Sequence, residues 1–158
     1  MKHKVLILNG PGLADLSDYD GHGFKGLTLK SISEVCVARC KELGIGLDFR
    51  QTDNQDEMAR WIAKDSEVFD AVIINPSGYS RATAEMSGIY RSALRKIAKL
   101  KKPVIEVHIN NIYSQSAEIT QPLHEPAGDM GFVCGFGKLG YVLAINAIDK
   151  RFDGNVVA

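Results

Sequence analysis

Three short runs, Val5–Leu8, Ala71–Ile74 and Val104–Val107, are aliphatic throughout with one charged exception, Glu106. A strand that meets water on one face alternates apolar and polar side chains, so a continuous apolar run must be covered on both faces. The runs are too short for helices and rich in β-branched residues, which reads as buried strand. Gly46–Gln51 and a segment near Gly131–Cys134 read as two further strands. Between the strands, apolar residues recur at helical spacing: Leu29, Ile32, Val35 and Cys36; Met58, Trp61 and Ile62; Met86, Ile89, Tyr90, Leu94 and Ile97; and lastly Tyr141, Ile145, Ile148 and Phe152. Short apolar strands alternating with amphipathic helices are the pattern of βαβ units around a parallel sheet.

The order is therefore β-α-β-α-β-α-β-β-α. It predicts an α/β, flavodoxin-like, doubly wound sandwich, with a parallel five-stranded sheet and helices on both faces. The 158 residues suit one domain spanning 1–158, without repeat, linker or low-complexity tract. Thr28 is placed to cap the first helix, and Gly44 to end it. Trp61 reads as core because it lies within a helical stripe.

Nineteen basic side chains balance nineteen acidic ones. Nothing in that balance attracts nucleic acid or an anionic membrane, so an anion must be held by a local site. The apolar run after Lys2 and Lys4 stops at Asn9, too short for a signal peptide, and no stretch is long enough to span a bilayer. Three cysteines without metal-type spacing read as buried thiols in a reducing, cytoplasmic setting. No cofactor or metal motif is present.

In open α/β sheets, ligands bind outside the carboxyl ends of the strands. Three distinctive segments fall there: Asn9–Gly26, Asn75–Arg81 and His108–Gln115. The Asn9-Gly10-Pro11-Gly12 turn is neither a P-loop nor a dinucleotide fingerprint. Glu106 and His108 are two apart on one strand and so face the same side. A carboxylate beside an imidazole fixes its tautomer, which suits either proton transfer or a structural hydrogen bond. Asn110 and Asn111 follow at once. Arg81 precedes a helix whose possible N-cap is Thr83, where free N–H groups and a guanidinium would favour carboxylate or phosphate.

Asn9-Gly10-Pro11, Arg50-Gln51-Thr52-Asp53, Asn75-Pro76-Ser77-Gly78, Glu106-Val107-His108-Ile109 and Gly135-Phe136-Gly137 with Gly140-Tyr141 together resemble the type II 3-dehydroquinate dehydratases. The resemblance runs over nearly the whole chain. It implies removal of water from 3-dehydroquinate through two proton transfers, by a tyrosinate whose pKa a nearby arginine lowers and by an acid histidine. It also implies that backbone amides after the Glu-Val-His block hold the substrate carboxylate. Homo-oligomers, trimers packed into dodecamers, are implied as well.

Position by position, most of the family's chemistry is replaced. The base tyrosine falls on Phe24, its activating arginine on Tyr19, and the second asparagine of the first motif on Gly12. The acid histidine falls on Arg81, a cross-subunit aspartate on Gly88, and two later arginines on Gln115 and Ile119. What remains are the ligand-holding positions: Asn75, Glu106, His108, and the backbone of Ile109 and Asn110, with Asn9 beside them. Each general acid or base is worth about 10²–10⁴-fold, so an inherited mechanism would lose most of its rate. Tyr19, Asp20 and His22 are substitutes the loop offers, with Arg81 and His108 as partners. Three functions follow as expectations: a lyase or isomerase of altered mechanism acting on a small cyclic carboxylate, a true 3-dehydroquinate dehydratase with substitute residues, and a non-catalytic small-anion-binding homologue.

Overall fold

The computed structural model describes residues 1–77, 84–111 and 130–154. Its strands are β1 (His3–Asn9), β2 (Ile45–Gln51), β3 (Ala71–Asn75), β4 (Val104–His108) and β5 (Met130–Cys134), and all pair in parallel in the order β2-β1-β3-β4-β5. The helices are α1 (Leu29–Leu43), α2 (Gln55–Ala63), α3 (Ala84–Ala98) and α4 (Leu139–Phe152). The flavodoxin-like sandwich is present as the alternation predicts.

Strand parity divides the interior into two cores. Val5, Ile7, Ile73, Ile105 and Val107 face α1 and α4. Leu6, Leu8, Val72, Ile74 and Val104 face α2 and α3. Since successive side chains point to opposite faces, one apolar run supplies both cores. Each fully buried aliphatic side chain contributes about 1.5–3 kcal/mol of transfer free energy.

Local chemistry fixes the helix starts. Thr28 Oγ1 accepts from Ser31 N–H at 3.0 Å, and Ser31 Oγ accepts from Thr28 N–H at 3.1 Å, a reciprocal box at the head of α1. Asn54 does the same service for α2, accepting from Glu57 N–H at 2.9 Å. Trp61 is half-buried against the second core, with the Arg50 guanidinium 5.4 Å from its ring. Asp48 and Asp65 grip that guanidinium at 2.7 and 2.5 Å. The first loop is more structured than its length suggests, because it contains a 3₁₀ turn, Ser17–His22. Leu13 and Leu16, both just before that turn, are buried and pin the loop to the first core. Among the described residues no helix is long and apolar enough to cross a membrane, and no His/Cys/Asp/Glu group is arranged to hold a metal ion.

Burial and the neighbouring Cys40 thiol push Cys36 up to about 12, and burial pushes Cys40 up to about 11, from an ordinary value of 9.0. A raised pKa in the folded state favours the neutral thiol. The resulting stability is full below the unfolded-state value and is lost as the pH rises through the folded ones. Since the thiolate is the nucleophile, an aromatic disulfide reagent at about pH 8 is expected to label Cys134 in the native protein and to spare Cys36 and Cys40 until denaturant is added. Counting released thiolate chromophore before and after unfolding checks this.

Candidate active site

The strand order reverses between β1 and β3, and the crevice at such a switch point is where ligands enter this architecture. Asn9 ends β1 and Asn75 ends β3, and the two are paired in register at that point. Gly10 N–H donates to the Asn75 carbonyl at 2.9 Å. A Cβ on Gly10 would lie 2.8 Å from the Pro76 carbonyl oxygen, so only glycine lets the two loops pass this closely.

Both asparagines are buried on the α4 side of the sheet. Tyr141 of α4 donates its hydroxyl to Asn9 Oδ1 at 2.7 Å and accepts from Asn75 Nδ2 at 2.8 Å. Asn9 Nδ2 donates to the Arg50 carbonyl at 3.0 Å, and Asn75 Oδ1 accepts from Ser77 N–H at 3.1 Å. Both ends of both amides are thus engaged within the protein. Burial drives the Tyr141 phenol far above its ordinary 10.0, against the opposing effect of the Asn75 hydrogen bond. It is a fixed neutral hydroxyl.

Glu106 and His108 lie on the opposite face of the sheet, toward α2 and α3, since they share the parity of Val104. His108 Nε2 is 2.7 Å from Glu106 Oε1, and both side chains are buried. The contact suits donation from Nε2 to the carboxylate, which fixes the ring and leaves Nδ1 as its other polar atom. Phe132 of β5 stands beside the imidazole, ring centroids 5.5 Å apart. The next carbonyl, that of Ile109, accepts from Gly137 N–H at 2.8 Å. The N–H groups of Ile109 and Asn110 have no backbone acceptor among the described residues. Two adjacent donors at a strand end suit a carboxylate.

The loop candidates separate. Tyr19 is half-buried against the first core, and its phenol is close enough to raise the Tyr141 pKa further. Asp20 does not reach inward: it is exposed, and its Oδ1 accepts from Gly26 N–H at 2.9 Å, closing the loop on itself. His22 ends the 3₁₀ turn, and its side chain lies outside the described part, as do Arg81, Thr83, Gln115 and Ile119. Phe24 packs on the first core and on Gly137, where a Cβ would meet its ring at 2.8 Å and φ is +57°. The residue that sequence reasoning left in the core was Tyr141. Its signal was a hydroxyl in an otherwise apolar helical stripe, facing the sheet side that Asn9 and Asn75 share by parity with Ile7 and Ile73.

Residues 3–149 match the family model described as dehydroquinase class II. The chain belongs to the class II dehydroquinase family. A 3-dehydroquinate dehydratase of Mesorhizobium japonicum is 35% identical over 147 residues, 93% of this chain and 97% of that protein. The crystal structure of the type II dehydroquinase from Propionibacterium acnes superposes with a TM-score of 0.76 at 30% identity, covering 95% of this chain and 98% of that one. A 3-dehydroquinate dehydratase-like protein from Bifidobacterium longum gives a TM-score of 0.66 at 27% identity, covering 95% and 98%. The flavodoxin-like fold read from the alternation of strands and helices is that of the dehydroquinase structures.

The Glu106–His108 pair sets a testable energetic claim. Removing one partner of a buried pair leaves the other polar group unsatisfied. Glu106→Ala is expected to lower the unfolding free energy by about 3 kcal/mol, and Glu106→Gln, which keeps an acceptor near Nε2, by about half of that. Urea denaturation followed by circular dichroism measures both, and equal losses would contradict the assignment.

Proposed function

We propose that the chain is a lyase that removes water from a small cyclic hydroxy-keto carboxylate, with a base other than the family's tyrosine. Membership of a family whose relatives are named 3-dehydroquinate dehydratase supports the reaction class. The observation that carries the altered mechanism is Phe24, a side chain without an ionisable group, seated on Gly137. Tyr19 then supplies the phenol, from the same loop and beside the Asn9–Tyr141–Asn75 group.

In the proposed reaction the substrate carboxylate rests on the N–H groups of Ile109 and Asn110. Tyr19, as phenolate, takes a proton from the carbon next to the ketone, and the C–H electron pair becomes the enolate. Collapse of the enolate expels the β-hydroxyl, which leaves as water with a proton from His108. Glu106 balances the imidazolium charge before that transfer. Tyr19 has gained one proton and His108 has lost one, and exchange with solvent resets both. Arg81 is assigned the electrostatic role, lowering the Tyr19 pKa or stabilising the enolate, since a guanidinium is a poor acid at pH 7. Asn75 serves the site by holding its turn. No cofactor or metal is needed for this sequence. A homo-oligomer is part of the proposal, although Gly88 takes the place of the family's cross-subunit aspartate, which argues against the dodecamer contact made there.

A second reading, a non-catalytic anion-binding protein, is favoured by the same Phe24 and by the commitment of both asparagine amides to internal bonds. One experiment separates the readings. The purified protein is incubated with 3-dehydroquinate and with related cyclic hydroxy-keto acids, and formation of a conjugated enone is followed by ultraviolet absorbance. Turnover is expected with at least one substrate, and Tyr19→Phe is expected to reduce kcat about 100-fold or more. Turnover untouched by Tyr19→Phe would remove Tyr19 as the base. Carboxylate binding by calorimetry without any turnover would establish the binding protein.

A further inference from the structure

The hydrogen bonds around Tyr141 have one permitted direction. A carboxamide has two ends of nearly equal shape, and only its neighbours decide which end faces which way. The Arg50 carbonyl can only accept, so Asn9 must turn Nδ2 toward it. Asn9 Oδ1 then faces Tyr141, whose hydroxyl must donate its single proton there. The Tyr141 oxygen is left to accept, which demands Nδ2 of Asn75. Asn75 Oδ1 is thereby turned to the Ser77 N–H, which can only donate. A chain that ends in a pure acceptor at β2 and a pure donor at Ser77 has one fully satisfied arrangement.

What that arrangement holds is an unusual turn. Ser77 has φ of +40°, in the left-handed region that a residue with a Cβ enters at a cost. It follows Pro76, one residue past the end of β3, the strand that pairs with the β4 of Glu106 and His108. The bond from Ser77 N–H to Asn75 Oδ1 helps fasten this backbone at the mouth of the crevice.

We propose that Tyr141 is a positioning residue, whose hydroxyl sets the direction of the hydrogen-bond chain and so orients the Asn75 amide and the Ser77 turn past the end of β3. The effect on catalysis rests on the lyase reading above, whereas the effect on the turn does not. In Tyr141→Phe the two asparagines lose the group that distinguishes their ends, and Asn75 is free to turn Nδ2 toward the Ser77 N–H, which it repels. Substrate grip should suffer more than the proton transfers, because Tyr19 and His108 lie outside the chain.

The test uses the full-length protein and two readouts. Amide hydrogen exchange at Ser77 is expected to accelerate at least tenfold in Tyr141→Phe, beyond any change in the amides of α1 and β1. With a turned-over substrate, KM is expected to rise about tenfold while kcat stays within about threefold, as for loss of an interaction made equally in ground and transition states. Ile148→Ala, a core truncation on the same helix, is the comparison: it should lower stability without singling out Ser77 or KM. Exchange that accelerates uniformly, or a Ser77 response equal in Ile148→Ala, overturns the proposal. If the wild type turns nothing over, the lyase reading fails and the exchange readout still decides on Tyr141. If Tyr141→Phe does not fold, Asn75→Ala removes the link next to Ser77 and must give the same local acceleration, and a protected Ser77 amide there is equally fatal.

Discussion

A parallel sheet covered on both faces leaves no place for an unpaired polar group except at the ends of its strands. Every feature of this site follows from that exclusion. Within β1 and β3 the interior side chains are aliphatic until the last residue, Asn9 or Asn75, whereas in β4 Glu106 and His108 alternate with aliphatic neighbours. Each is buried, and each is tied to a partner of fitting chemistry. An unsatisfied buried amide or carboxylate would cost as much as a sizeable fraction of a domain's total stability.

The two halves of the site sit on opposite faces of the sheet. Asn9, Asn75 and Tyr141 belong to the α1/α4 layer, and Glu106 with His108 to the α2/α3 layer. They meet only at the rim, where the ends of β3 and β4 lie side by side. The division separates a neutral, directional hydrogen-bond group from an ionisable pair.

Much of this was legible beforehand, and for physical reasons. Continuous apolar runs can only be doubly buried strands, so strand identity and sheet type follow from the sequence. The Glu106–His108 contact follows from a spacing of two on one strand. Thr28 shows itself as a cap because its hydroxyl precedes a helical stripe. Tyr141 stayed hidden because tyrosine in an apolar stripe reads as ring rather than as hydroxyl, and its partner Asn9 lies 132 residues away. Asp20 suggested chemistry from its neighbourhood in the sequence, yet a carboxylate set directly before a glycine-rich stretch closes that stretch more readily than it reaches a crevice. The seat of Phe24 was not legible at all, since it depends on Gly137 from the other end of the chain.

That seat has a thermal consequence. In place of an ionisable group the first loop is fastened to the turn before α4 by an aromatic ring lying on bare backbone. Such a clasp carries no charge, so neither salt nor protonation can release it directly. Its strength comes from water exclusion, which weakens on cooling. The first loop should accordingly grow looser in the cold, as the burial of the Phe24 ring loses its driving force.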